Sequence, residues 1–161
     1  MDYKVGQADV IFVCGKICSG KDTFADQLAF HEKIVVSDIV RDLIKSTDRK
    51  KLADTKALDK KIAKELFDRI KKAGKASVVG VRQLSILLKL KFHLQTNGFS
   101  HEYIWLEVSD EELKRRFITR DDEKDKTMTF EEALQKDEDL GLVDLEDWLT
   151  YQSNVQVIYN D

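Results

Sequence analysis

The most marked absence in this sequence of 161 residues is proline, which does not occur at all. A chain without proline has no polyproline II recognition segment, no collagen-like repeat and no proline-rich linker. Its helices must therefore end at other residues. Cysteine is nearly absent too, and two cysteines in a chain of this length favour a reducing compartment over a disulfide-stabilised secreted fold.

Long apolar runs are also missing near the N-terminus. The run from Val10 to Cys14 has five residues, which is too short for a signal sequence or a membrane span. We therefore expect a cytoplasmic protein with no membrane partner.

The residues that are present fit one globular domain over positions 1–161, with 42% apolar and 35% charged residues. The charge is unevenly spread: residues 41–75 carry 13 basic and 6 acidic side chains, whereas residues 121–161 carry 3 basic and 13 acidic ones. A basic block can bind nucleic acid. Here the lysines alternate with acids on a helical pattern, so an exposed helix face is the preferred interpretation and nucleic-acid binding the less favoured one.

Short β-branched or aromatic runs alternate with segments of helix length. The predicted strands are residues 10–14, 34–36, 77–81, 103–108 and 155–159. The predicted helices include residues 23–31, an amphipathic stripe through 58–70, residues 83–96 ending at Asn97-Gly98, and two segments that begin at the capping pairs Ser109/Glu112 and Thr129/Glu132. Because parallel strands need crossover connections, this alternation predicts a three-layer α/β fold, with about five parallel strands and helices on both faces.

The strongest motif lies where the first predicted strand ends. Gly15 and Gly20 enclose four residues and are followed by Lys21, which is the G-x-x-x-x-G-K spacing of a Walker A phosphate loop. Glycines let such a loop turn tightly and bring its amides close to phosphate oxygens. The following helix adds partial positive charge, and Lys21 supplies a full charge for the β and γ phosphates. We therefore predict a P-loop NTPase fold that binds ATP.

One position in this motif departs from the usual pattern. Asp22 stands after Lys21, where a hydroxyl normally binds magnesium. Either Thr23 takes part of that role, or Asp22 holds the metal through water. The residues predicted to contact ATP are Gly15, Lys16, Ile17, Cys18, Ser19, Gly20, Lys21, Asp22 and Thr23, and Asp22 and Thr23 are also the candidate Mg²⁺ ligands.

The run from Ser19 to Thr23 resembles the loop of phage deoxynucleoside monophosphate kinases, and its wider pattern is similar to that of animal-type phosphomevalonate kinases. Residues 35–41 and 78–82 are similar to segments at the second and third strands of adenylate kinase-like and dephospho-CoA kinase-like proteins. Residues 116–138 resemble the lid and following helix of that group, and residues 158–161 its last strand. The likeness spans about residues 10–161 and implies a P-loop kinase.

The resemblance implies further roles. Asp38 would orient or deprotonate a hydroxyl acceptor, or help to hold magnesium. Arg41 and Arg82 are candidates for binding the acceptor's own phosphate, because a guanidinium binds phosphate through two nitrogens. Many relatives carry an acid immediately before the glycine of the third strand to orient magnesium, and Val79 stands there in this chain.

Arg116 and Arg120 lie four residues apart and hence on one face of a helix. A polar stretch without apolar anchors follows them, which predicts a small lid at about residues 120–128 that closes over the substrates. The alternative is a surface helix with a mobile loop. Phosphoryl transfer needs several cations at one point, so Lys21, Arg116 and Arg120 are the candidate catalytic cations beside Asp38.

These features predict a kinase that uses ATP and Mg²⁺ on a small phosphorylated acceptor. A nucleoside or deoxynucleoside monophosphate is the leading acceptor class. The runner-up is a kinase for a hydroxyl group on dephospho-CoA, phosphomevalonate or a modified base within DNA. An ATP-binding sensor without fast chemistry is the alternative of another class, motivated by Asp22 and Val79 at positions where a hydroxyl and an acid are usual.

Overall fold

The computed structural model describes residues 7–46, 55–120 and 128–161, in which strands and helices alternate. The strands are β1 (Val10–Gly15), β2 (Glu32–Val35), β3 (Ala76–Val79), β4 (His101–Glu107) and β5 (Val155–Tyr159). The helices are α1 (Lys21–Asp26), α2 (Val36–Ser46), α3 (Thr55–Ala73), α4 (Leu84–Thr96), α5 (Asp110–Thr119), α6 (Phe130–Asp139) and α7 (Leu142–Thr150). No helix in these parts of the chain combines the length and the apolarity needed to cross a membrane.

The strands form one parallel sheet in the order β2-β3-β1-β4-β5. β1 lies in the centre, with Val13 opposite Val79 of β3 and Ile104 of β4. All six residues of β1 are buried, as expected of a parallel strand that is covered on both faces. The predicted three-layer α/β fold is confirmed.

Alternate residues of each strand face opposite layers. On one face Phe12 joins a large core with Leu66 of α3 and Leu87 of α4, to which α2 and α7 also contribute. On the other face Val13 packs with Phe24 of α1. The sheet is therefore held between helices, and the carboxyl end of β1 is the point where its loop emerges.

The helix after β1 is shorter than the sequence predicted, because α1 ends at Asp26 rather than His31. Beyond it Leu28 packs partly buried against the core that contains Phe24. The ring of His31 is buried, with Nε2 2.8 Å from the carbonyl oxygen of Ala8. These tertiary contacts redirect the chain into β2 before the helix can continue.

Helix ends elsewhere follow the predicted capping chemistry. The hydroxyl of Ser109 accepts the amide of Glu112 at 3.3 Å, and the hydroxyl of Thr129 accepts the amide of Glu132 at 3.1 Å. α4 ends at Thr96, and the capping residue Asn97 is followed by Gly98 with φ +75°. This left-handed conformation suits glycine, which explains how the helix ends without proline.

We expect the core between the sheet and α4 to dominate stability. Leu87→Ala removes a fully buried side chain and should cost about 2–5 kcal/mol, because it leaves a cavity. The neighbouring Leu88 is 40% exposed, so Leu88→Ala is the matched control and should cost clearly less. Urea unfolding followed by circular dichroism measures both. Equal losses in the two variants would contradict this packing.

Candidate active site

The predicted phosphate loop, residues 15–21, joins β1 to α1. Its backbone takes a positive φ at Cys18, 64°, and at Gly20, 92°. A Cβ atom at Gly20 would lie 2.7 Å from Nδ2 of Asn160. Both the left-handed backbone and this close approach require glycine at position 20.

The ammonium of Lys21 lies inside the loop. It donates hydrogen bonds to the carbonyl oxygens of Gly15 and Lys16 at 3.1 and 2.9 Å. Burial, with a smaller contribution from Arg82, lowers the pKa of Lys21 to about 8, although the charge of Asp137 acts in the opposite direction. A charged ammonium is therefore disfavoured here, and an anion bound at the loop would offset that cost.

Unlike Lys21, another polar group of the loop has no partner in the described part of the chain. The hydroxyl oxygen of Ser19 is buried and has no hydrogen-bond partner among the described residues. Such orphaned buried hydroxyls are uncommon in folded proteins. The hydroxyl of Ser19 and the ammonium of Lys21 are therefore two groups of the loop that an anionic oxygen would stabilise.

The end of β5 and helix α5 hold the loop from one side. Nδ2 of Asn160 donates to the carbonyl oxygen of Ser19 at 2.9 Å. Arg116 donates to the carbonyl oxygens of Cys18, at 3.2 Å, and of Asn160. Its Nε also donates to Glu112 at 3.0 Å. Arg116 therefore ties the loop to the last strand, and the catalytic role expected for it stays a prediction.

Arg120 follows α5 and reaches the same part of the loop. Its Nη1 lies 3.4 Å from Sγ of Cys18. Arg116 lies within α5, whereas Arg120 lies just beyond its end with an extended backbone, so the prediction that the two share a helix face is wrong. Both side chains nevertheless reach Cys18. The predicted lid at about 120–128 falls almost wholly outside the described residues, so its closure stays a prediction.

Helix α6 also bonds to the loop, through a residue for which the sequence indicated no role. Asp137 is 3% exposed, and its Oδ2 accepts the amide of Ile17 at 2.9 Å. Its Oδ1 lies 3.2 Å from Nε of Arg82, which comes three residues beyond the end of β3. The available signal was spacing: Phe130, Ala133 and Asp137 recur at i, i+3 and i+7, which places the acid on the buried face of the helix.

The predicted acceptor residues Asp38 and Arg41 contact each other. Nη2 of Arg41 lies 2.7 Å from Oδ1 of Asp38, and both side chains are half-exposed in the first turns of α2. Among the described residues neither makes a hydrogen bond or an ion pair to the loop. Asp38 also lines an open cleft of about 780 Å³ along the outer edge of β2, with Lys33 and Arg69.

A buried polar contact that no sequence pattern indicated lies near Arg82 in the sequence. Ser85, in the first turn of α4, donates a short hydrogen bond to the buried carboxylate of Asp59 in α3. This contact fastens α3 to α4 just beyond the carboxyl end of β3. Neither residue belongs to a recognisable motif, so only the fold could reveal the pair.

The two candidate magnesium ligands are exposed at the start of α1. The carboxylate of Asp22 lies 3.7 Å from Nζ of Lys33, which also pairs with Asp26 at 2.8 Å. Residues 7–46, 55–120 and 128–161 contain no group of three or more metal-binding side chains. Val79 is buried, so this position at the end of β3 is apolar as the sequence indicated.

Comparison with known proteins agrees with this architecture. A family model described as an AAA domain matches residues 11–138. A comparison with curated proteins gave no match.

Solved structures of several kinases share the fold. A gluconokinase from Sinorhizobium meliloti 1021 has a TM-score of 0.54 at 16% identity, over 95% of this chain and 83% of its own. A sugar kinase from Janibacter sp. HTCC2649 has a TM-score of 0.55 at 14% identity, over 94% and 85%. The APS kinase of Mycobacterium tuberculosis, solved with AMPPNP and APS, has a TM-score of 0.50 at 10% identity, over 71% of each chain. With a match over most of its length and this shared fold, the chain belongs to the AAA domain family.

Proposed function

We propose that this chain is an ATP-dependent phosphotransferase that acts on a small phosphorylated molecule, with a nucleoside or deoxynucleoside monophosphate as the leading acceptor class. One observation carries the proposal: cationic side chains from different elements gather at one phosphate loop. Lys21 lies within the loop, Arg116 and Arg120 contact Cys18, and Arg82 reaches the loop through Asp137. Phosphoryl transfer is catalysed mainly by such positioned positive charge.

The loop fits the phosphates of ATP. A phosphate oxygen near Ser19 would satisfy the unpartnered hydroxyl, and a negative charge near Lys21 would stabilise its ammonium. Magnesium usually binds to one or two protein oxygens together with phosphate oxygens and water. Asp22 and Thr23 are exposed beside the loop and are the oxygens that would hold it, while the bound metal would supply further neutralisation of the phosphate charge.

The acceptor side is built by residues at the carboxyl ends of β2 and β3. Arg82 is the better placed of the two candidate phosphate-binding arginines, because its partner Asp137 is hydrogen-bonded to the loop. A monophosphate acceptor attacks with an oxygen that is already anionic and needs no base. Asp38 would act as a base only for a hydroxyl acceptor, and in the structure it forms an ion pair with Arg41.

One structural observation favours the alternative that the protein is an ATP-binding sensor. Val79 is buried and apolar at the position where relatives are expected to hold an acid, so the metal shell has fewer protein oxygens. A sensor binds ATP without turnover that depends on an acceptor, and this difference can be measured directly.

The first test is ADP release from ATP and Mg²⁺ across deoxynucleoside monophosphates, nucleoside monophosphates, dephospho-CoA, phosphomevalonate and hydroxymethylated DNA. We expect a monophosphate to raise the rate at least about tenfold over the rate without acceptor. Lys21→Ala should remove this turnover, whereas Lys64→Ala, which alters an exposed lysine of α3 that pairs with Asp68, should retain most of it. Equal rates with and without every acceptor would overturn the kinase proposal in favour of the sensor.

The second test is the titration of Lys21 in protein carrying ¹³C-labelled lysine. We expect one side-chain signal to titrate near pH 8 and to disappear from the spectrum of Lys21→Arg. Binding of AMPPNP should move this midpoint upward, because the phosphates stabilise the ammonium. Lys33 is the internal control, since the hydrogen bond to Asp26 raises its pKa above the ordinary value. A Lys21 midpoint that stays fixed on nucleotide binding would count against contact with the phosphates.

The third test separates transition-state charge from nucleotide binding at Arg120. Arg120→Ala should lower kcat about 100-fold or more while changing the Kd for AMPPNP less than about threefold, because the charge matters most when the phosphoryl group is transferred. Arg115→Ala is the matched control: Arg115 lies on α5, the helix that Arg120 follows, is 63% exposed and pairs with Glu112. Parallel losses of rate and affinity in Arg120→Ala would contradict a catalytic role.

A further inference from the structure

The two carboxylate oxygens of Asp137 contact two different parts of the site. One oxygen accepts the amide of Ile17 in the phosphate loop, at 2.9 Å, and the other lies 3.2 Å from Nε of Arg82 beyond β3. The Asp137 side chain is only 4% exposed, while that of Arg82 is 31% exposed. The acid is therefore an anchor within the protein, and the arginine extends from it toward solvent.

Both contacts are needed because a buried carboxylate has lost its water. A buried acid that loses its cation, or a buried amide that loses its acceptor, leaves an uncompensated polar group. The pairing with Asp137 thus restricts where the Arg82 guanidinium can lie. An arginine anchored at Nε can still present its two terminal nitrogens to a phosphate.

The same anchor also reaches the donor side. Ile17 packs partly buried against an apolar cluster that includes Phe130 and Ala133 of α6, and its amide bonds to Asp137 of the same helix. The charges of Asp137 and Arg82 both act on Lys21, with opposite effects on its pKa. The loop backbone and Arg82 therefore both contact one carboxylate, and the charge of that carboxylate also acts on Lys21.

We propose that Asp137 is a positioning residue that fixes Arg82 relative to the phosphate loop, and so sets the place of the acceptor phosphate against the donor. This inference rests on the proposed function for the identity of the acceptor. It assigns Asp137 no contact with either substrate. Its effect on the acceptor passes through Arg82, and its effect on the loop passes through Ile17.

The test compares Asp137→Asn with Asp139→Asn. The asparagine at 137 keeps an oxygen for Ile17 but lacks the charge that holds Arg82. We expect the KM for a deoxynucleoside monophosphate to rise at least about tenfold, with the Kd for AMPPNP changed less than about threefold. Asp139 lies on the same helix, is exposed and bonds to Gln135, so its variant should behave as the wild type.

A double-mutant cycle distinguishes positioning from general support. In an Arg82→Gln background, Asp137→Asn should add little to the KM for the acceptor, because its partner is already lost. A merely structural role predicts instead additive losses in kcat and thermal stability with the KM unchanged, and that result would overturn the inference. The paired variant also leaves no unmatched buried charge, so it addresses the case in which Asp137→Asn alone fails to fold.

A measurement without turnover separates this inference from the proposed function. In ¹⁵N-labelled protein we expect the Nε–H signal of Arg82 to be protected from solvent exchange and to shift when inorganic phosphate is added. In folded Asp137→Asn this signal should be lost. In the Asp139→Asn control it should be retained. An unaltered Arg82 signal in Asp137→Asn would overturn the role of Asp137, whether or not any acceptor is phosphorylated.

Discussion

The arrangement of this site depends on keeping a lysine ammonium inside a loop of backbone before any anion has arrived. Lys21 is held by the carbonyl oxygens of Gly15 and Lys16, which stabilise its charge only in part, because burial still lowers its pKa to about 8. Residues from other elements hold this loop in shape. Asn160, Arg116 and Asp137 each bond to its backbone.

The parallel sheet explains why these supports come from such distant parts of the chain. β1 is central, so the carboxyl ends of β3 and β4 flank its loop, and β5 follows beside β4. Asn160, which directly follows β5, contacts Ser19, 141 residues earlier. Arg82 arrives from the β3 side and pairs with an acid from α6. The order of the strands thus brings residues from distant parts of the sequence to one loop near the start of the chain.

Much of this fold could be predicted from local patterns. The strand runs, the helix end at Gly98 and the caps at Ser109 and Thr129 depend on neighbouring residues, and the structure has them. The length of α1 could not be predicted, because it is set by the packing of residues beyond the helix. The roles of Asp137 and of the Asp59–Ser85 pair also depend on contacts between distant elements. Spacing shows that an acid lies on a buried face, but it does not show what the acid meets there.

The arginines near the loop differ in the partners that they bond to, and this difference limits what each can do. Arg116 donates to two backbone carbonyls and to Glu112, whose pKa is lowered to about 2 mainly by its hydrogen bond with Arg115. A guanidinium so fully engaged can shape the loop but has few donors left for a substrate. Among the described residues Arg82 forms an ion pair with Asp137, and its side chain remains 31% exposed. An arginine that is paired with a buried acid and still partly exposed to solvent has a restricted position, which is what the proposed binding of an acceptor phosphate by a guanidinium requires.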